Sequence, residues 1–245
     1  MLKKYSNKEI KRKFYDSIAQ RLLLLGYTKD KKTSVFYKRF AVEKYGTIYF
    51  DCHFNKTGTH LHVNPTVGFL HGKVEELWHK LMPEYRIDFP MLRYDTTTVQ
   101  TNIGYLTARN TYLNWRFSRS MGHLSFEFKI LTLILSVMQT GFQIRRYCND
   151  GMLLKAMKNH KIGLQITNRL KAPLLLYVMG HEKEAFDLAS HYLALQRPTP
   201  KNLDAQEPEF YNSQQEAWNF FKRDKDPITY YNYRLFHTRF LKDNR

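Results

Sequence analysis

Asp51, His53, His60 and His62 are side chains of the kinds that bind metals or move protons, and each alternates with apolar neighbours. Ile48, Phe50, Cys52 and Phe54 interleave with Thr47, Tyr49, Asp51 and His53, while Leu61 and Val63 interleave with His60, His62 and Asn64. This period-two pattern reads as two strands with one buried face. A loop of Asn55-Lys56-Thr57-Gly58 pairs Phe54 with Thr59, Cys52 with Leu61 and Phe50 with Val63, gathering the apolar sets on one face. It also sets His53 opposite His60 and Asp51 opposite His62. Directly opposed residues have Cβ atoms about 4.5–5.5 Å apart, close enough to share a metal ion or a proton. Three imidazoles and a carboxylate suit zinc or another transition ion, and equally a pH-sensitive patch. An ordinary solvated strand face carries the same residues, and a loop one residue longer or shorter scatters them to opposite faces.

Other motifs with chemical meaning are incomplete. Glu75-Glu76-Leu77-Trp78-His79 holds a single Glu-x-x-His unit, whereas di-metal bundles need two copies and further carboxylates, so it reads as a helix surface. His181-Glu182-Lys183-Glu184-Ala185 lacks the second histidine of a zincin. Cys52, on the apolar side of the hairpin, reads as an inert core thiol. Phosphate-binding loop, dinucleotide fingerprint, nucleophile elbow and Cys-x-x-Cys pair are all missing from the sequence, so no catalytic residue and no cofactor is assigned.

Charge is the stronger signal. The chain of 245 residues has a formal net charge of +17, and residues 1–45 hold 13 Lys/Arg against 4 Asp/Glu, more than half of the excess. Such a field draws anions: nucleic acid, an acidic protein or a phosphate-bearing surface. One basic zone joins Lys8, Arg12 and Lys13 to Lys29, Lys31 and Lys32 and then to Lys38 and Arg39, with Arg12 and Lys13 expected in solvent. A second is the tail, where Tyr230, Tyr231, Tyr233, Phe236 and Phe240 interleave with Arg234, Arg239, Lys242 and Arg245. Basic groups contact phosphate and aromatic faces stack on unpaired bases. Phe236 and Phe240, one helical turn apart, are expected instead to dock on the domain.

The elements that must position these groups follow an α+β order. Ser6 and Glu9 form a capping box before a helix from Asn7 to Leu25, in which Ile10, Phe14, Ile18, Leu22 and Leu25 recur at helical spacing and which stops at Gly26. An antiparallel meander follows: Ser34–Val42, Thr47–Phe54 and Thr59–Val63, with Thr66–Leu70 as an extension past Pro65. Gly72–Met82 reads as a short helix facing inward through Val74, Leu77, Trp78 and Leu81. Thr96–Thr101 and Tyr112–Phe117 are strand candidates. The remainder reads as helical: one helix to Gln139 before Gly141, one after Asp150, one over Leu164–Met179 that Pro173 bends or divides, and one from Glu182 to Leu195. Arg197-Pro198-Thr199-Pro200 marks a linker, dividing an α+β domain of residues 1–196 from an extension of 197–245. Within that extension Ser213 with Glu216 starts a capped helix, and Ile228–Leu241 forms a last one.

The N-terminus shows no secretory signal, and the most apolar run, Ile130–Met138, is about half of the ~20 residues that cross a bilayer. The two cysteines, Cys52 and Cys148, make no disulfide framework, so a reducing cytoplasm is the expected compartment.

With the elements in place, the chain resembles an uncharacterised bacterial family, domain of unknown function 4304. The resemblance rests on Leu25-Gly26-Tyr27, Phe36-Tyr37-Lys38-Arg39, and His62-Val63-Asn64-Pro65-Thr66-Val67-Gly68. It continues through Asn102-Ile103-Gly104-Tyr105-Leu106 with Trp115, and Leu175-Leu176-Tyr177-Val178-Met179-Gly180 before Ala185. It covers residues 6–195 and implies a bacterial or phage-related protein with no assigned catalytic residues, in toxin-immunity or phage-defence settings. The expectation is a non-enzymatic binding protein with a basic surface for an acidic protein or nucleic acid, first as an immunity or defence factor acting by protein contact. The alternatives are a nucleic-acid-binding protein and a metal- or histidine-dependent enzyme using the hairpin face.

Overall fold

The computed structural model describes residues 5–30, 34–81, 97–159, 161–163, 165–195 and 237–240. Its first helix, α1 (Asn7–Leu24), begins with the expected capping box: the Ser6 side chain accepts from the Glu9 amide and the Glu9 carboxylate from the Ser6 amide. Ile10, Phe14, Ile18 and Leu22 are buried, and Gly26 turns the chain at φ +80°. Strands β1 (Thr28–Lys29), β2 (Phe36–Ala41), β3 (Lys44–Phe54) and β4 (His60–His71) pair antiparallel in order. Helix α2 (Gly72–Leu81) follows β4 directly. Strands β5 (Val99–Asn102) and β6 (Trp115–Ser118) both pair with the free edge of β4, completing a six-stranded sheet. The α+β class read from the sequence is the observed class.

β4 runs unbroken through Pro65, which lacks an amide hydrogen and disfavours central strands. The partners on its far edge explain the tolerance. β6 pairs with residues 60–63 and β5 with 66–69, so Asn64 and Pro65 fall in the gap between two short strands.

The hairpin register differs from the expected one. Phe54 pairs with Leu61, Cys52 with Val63, His53 with His62 and Asp51 with Asn64. The loop is two residues longer because the Asn55 side-chain oxygen Oδ1 accepts from the amides of Thr59 and His60, and Gly58 takes φ +64°. A two-residue slip keeps every side chain on its own face. Phe50, Leu61 and Val63 are buried while Asp51 and His53 stay exposed.

One face of the sheet packs on α1 and on α3 (His123–Arg145). Phe14 meets Phe50 and Phe117 at centroid distances of 5.7 and 5.3 Å, and Phe117 meets Phe126 of α3 at 5.3 Å. Phe14–Phe50 is edge-to-face and the other two pairs are tilted, and aromatic pairs at such distances add about 0.5–1.5 kcal/mol to plain burial. α3 does not stop near Gly141 but runs through it, and the following turn (Arg146–Cys148) leads into α4 (Asp150–Lys158). Its apolar run therefore exceeds Ile130–Met138: by length and composition His123–Cys148 is long enough to cross a membrane, although Phe126, Ile130, Leu133 and Val137 fill the core.

α5 (Gln165–Val178) contains Pro173 without being divided by it, and α6 (Glu182–Leu195) packs beside it. α5 also corrects the reading of Glu75 as a helix-surface residue. Glu75 is buried, and Lys171 of α5, also buried, donates to both of its carboxylate oxygens at 2.9 and 2.7 Å. Thr98 donates to the same carboxylate at 2.7 Å, and Lys171 donates to the Thr97 carbonyl at 2.8 Å. Nearby, Lys44 donates to Asp150 at 2.6 Å and to the Cys148 carbonyl, tying the sheet end to the start of α4.

Residues 237–240 are helical and return to the body: Phe240 is fully buried against Tyr177 and Phe186, and Arg239 donates to the Leu81 carbonyl. This is the docking expected for Phe240. Lys31, Lys32, Arg234, Phe236, the linker and the helix expected at Ser213 lie outside the described residues.

Candidate functional site

The face of β3–β4–β6 turned away from α1 and α3 collects the polar side chains of the hairpin. Strand alternation places Tyr49, Asp51 and His53 of β3 there, beside Thr66, Asn64, His62 and His60 of β4, with Arg116 and Ser118 of β6 at the margin. His53 and His62 are direct cross-strand partners, and their rings stack at 5.4 Å between centroids and 16° between planes. Asp51 accepts from the Asn64 side chain at 3.1 Å and lies 3.6 Å from Nδ1 of His53. His60 is displaced toward the turn, where its Nδ1 meets the Thr59 hydroxyl at 2.9 Å and its strand partner is Ser118.

The four expected ligands therefore do not converge. The longer loop moved His60 away from His53 and put Asn64, an amide, where His62 was expected opposite Asp51. Among the described residues no group of three or more His, Cys, Asp or Glu side chains is placed to hold a metal ion. What remains is a stacked imidazole pair with one carboxylate at its side.

Electrostatics give that pair a definite character. His62 is held below the ordinary histidine range by desolvation, and then by the positive charge of Arg116 and the neighbouring His53 and His60. It presents a neutral aromatic face at pH 7. Arg116 is exposed next to it.

Two exposed tyrosines stand on the segment joining β5 to β6. Tyr105 and Tyr112 contact edge-on at 6.2 Å, and Asp51 with Tyr105 adds to the desolvation that raises the Tyr112 phenol, which places Tyr112 within electrostatic reach of the hairpin face. Asn102 holds this segment: its side-chain oxygen accepts from the amides of Gly104 and Leu113, and its nitrogen donates to the Leu113 carbonyl. Gly104 is required because a Cβ there would run into the Thr111 carbonyl.

No family model, no curated protein and no solved structure matches this chain. The site is accordingly read from its own geometry.

The basic residues singled out in the sequence separate into two groups. Lys8, Arg12, Lys29 and Arg39 are exposed. Lys13, expected in solvent, instead donates to the Tyr5 hydroxyl and lies over the Tyr5 and Phe126 rings at 4.9 and 4.3 Å. Lys29 lies over Tyr15 and Phe36, and Lys38 donates to the Leu25 carbonyl while lying over Tyr27. Ammonium groups on ring faces are attracted by the π quadrupole, and their methylene stems add packing. Much of the first basic zone thus pins α1 and the first strands together. Cys52 meets its expectation: burial pushes its thiol up to about 11.

Arg116, Tyr105 and Tyr112 were not singled out in the sequence. The alternation Trp115-Arg116-Phe117 did carry the signal for Arg116, since Trp115 and Phe117 must share the buried face. Its pairing with His62 came only with the placement of β6.

Proposed function

We propose that the protein is a non-enzymatic binding module whose outer hairpin face takes up single-stranded nucleic acid. The observation that supports this reading is the stacked His53–His62 pair, solvent-facing and flanked by Arg116, with Tyr112 and Tyr105 beside it. Imidazole and phenol faces stack on unpaired bases without sequence preference, and Arg116 supplies a phosphate contact. Asp51, the single carboxylate among these groups, accepts from an exocyclic amine on a base edge. The charge of +17 brings a polyanion to this surface, with exposed Lys8, Arg12 and Arg39 adding to the field. Bacterial origin and a role in immunity or defence belong to the same proposal and rest on the family resemblance, and a cytoplasmic setting rests also on the cysteine usage.

Fluorescence anisotropy with labelled oligo-U, oligo-dT and a duplex of the same length tests this over a salt series. Single strands should bind more tightly than duplex, and log K should fall by about 0.7 per phosphate contact for each decade of salt. Tyr112→Ala and His62→Ala should each weaken binding by about 1–3 kcal/mol, the worth of one stacked base, without changing the melting temperature. Equal affinity for duplex, or face variants that bind like the parent, would sink the proposal. Recovery of an acidic protein from nuclease-treated lysate, together with no oligonucleotide binding, would move the function to protein contact.

A further inference from the structure

α3 turns one face to the core and leaves another without cover among the described residues. Leu124, Phe128, Leu131, Leu135 and Phe142 are exposed by 87, 66, 49, 55 and 72%, and half-buried Met138 completes the row. Their spacing alternates four and three, which is the a/d repeat of a coiled-coil seam rather than scattered apolar surface. The flank on one side is Ser125, Thr132 and Gln139, all uncharged. Such a row is unusual on a chain with a net charge of +17. A contiguous apolar strip on that background marks a contact surface.

We propose that this face is a homodimer interface, in which α3 of one copy packs antiparallel on α3 of a second copy about a twofold axis near Leu133. Three observations select a second copy as the occupant. The seam is self-complementary under that symmetry: Leu124 meets Phe142, Phe128 meets Met138, and Leu131 meets Leu135, each contact occurring twice. Across the twofold each flank meets its own counterpart, so Ser125 faces Gln139 and Glu127 faces Gly141, whose missing side chain permits close approach, and no like charges are opposed at these positions. A half-open groove of about 180 Å³ beside Phe142, lined by the apolar Tyr27, Phe40 and Met138 together with Lys38, Arg39 and Arg145, lies at the end of the seam that the partner's Leu124 reaches. The most exposed knob of the row and the hole in the surface thus occupy mutually related positions.

The size agrees with a real but moderate association. The row spans about 27 Å at ~1.5 Å of rise per residue. From its exposure it offers roughly 550 Å² per copy, so a symmetric pair covers about 1,100 Å², just above the ~1,000 Å² of a biological interface. A dimer with micromolar dissociation is expected.

Sedimentation of the full chain over a micromolar concentration series is the test. The parent should pass from monomer to twice that mass, with no larger species, because the symmetry closes. Leu131→Glu and Leu135→Glu, at the centre of the seam, should each remove the dimer and leave the melting transition of the monomer unchanged, since both side chains face solvent. If either aggregates, Leu131→Ser with Leu135→Ser serves the same purpose. A mixture of Leu124→Cys and Phe142→Cys proteins should form a covalent heterodimer on oxidation, whereas neither alone should cross-link through the seam. A parent that stays monomeric across the series, a dimer untouched by the central substitutions, or same-site cross-linking indicating a parallel pair would each overturn the proposal. Monomeric protein that floats with zwitterionic lipid vesicles through this row would assign it to a membrane surface instead.

Discussion

Replacing Lys171 by Met probes the least expected feature of the fold. Lys171 supplies two of the hydrogen bonds received by the Glu75 carboxylate, at 2.9 and 2.7 Å, and Thr98 supplies another. Both charged side chains are almost sealed from water, 1% exposed for Lys171 and 7% for Glu75. Lys171→Met keeps the helix propensity and most of the volume but strands a carboxylate in a site that water does not reach. Removing one partner of a buried pair typically costs about 3–5 kcal/mol. For a domain of this size that lowers the melting temperature on the order of 10 °C. Replacing both residues, Glu75→Met with Lys171→Met, removes the stranded charge and should return stability to within ~1 kcal/mol of the parent, or above it. Urea unfolding followed by the fluorescence of Trp78, whose ring lies 5.7 Å from the Lys171 ammonium, reads all three variants. A double variant as unstable as the sum of the singles would show that the two charges are not coupled, and the reasoning would fall.

Two other outcomes follow from the geometry. Ser6→Ala removes the oxygen that accepts from the Glu9 amide and should cost ~1 kcal/mol in the same unfolding assay, with α1 fraying first. Burial lowers the His237 imidazole to about 3, and that of His71 in the same direction, so the folded state binds fewer protons than the unfolded chain below the ordinary histidine value. Through His237, stability should therefore fall as pH drops from about 6.5 toward 3, by up to ~1.4 kcal/mol per pH unit, and His237→Phe should flatten that slope in an acid titration of unfolding.

Where local chemistry decides an element, the sequence was legible. The Ser6–Glu9 box, the Ile10/Phe14/Ile18/Leu22 stripe and the Gly26 stop gave α1 almost to the residue. Alternation gave the correct faces of β3 and β4, because a face depends only on parity. Pairing depends on the turn, and the Asn55 side chain, which closes the longer loop, has no signature in hydrophobic pattern. The metal tetrad failed on that one point. Pro173 and Gly141 were read as breaks by propensity, yet burial of Leu174 and Leu175 on one side and of Thr140 and Ile144 on the other holds both helices through them. Lys171 could have been noticed as a lone charge ahead of Leu174-Leu175-Leu176, but its partner Glu75 is distant in sequence and only the packed helices join them. Lys13 and Lys38 count as charge in the sequence, while in the fold their ammonium groups act mainly as neighbours of aromatic rings.

The interrupted edge of β4 has a mechanical consequence. β6 closes the sheet around the hairpin tip and is tied to the start of α1 by the Tyr5–Arg119 backbone contact, while β5 closes it around the end that carries Glu75 and Lys171. On that side no hydrogen-bonded ladder among the described residues crosses from one closure to the other at Asn64 and Pro65, so β4 and its pairing with β3 are the beam that joins them. A distortion at the tip, such as a base wedged against His53 and His62, bends that beam without prying open the ion pair at its far end. The proline in mid-strand acts as an expansion joint: one end of the sheet can comply with a guest while the other keeps the fold rigid.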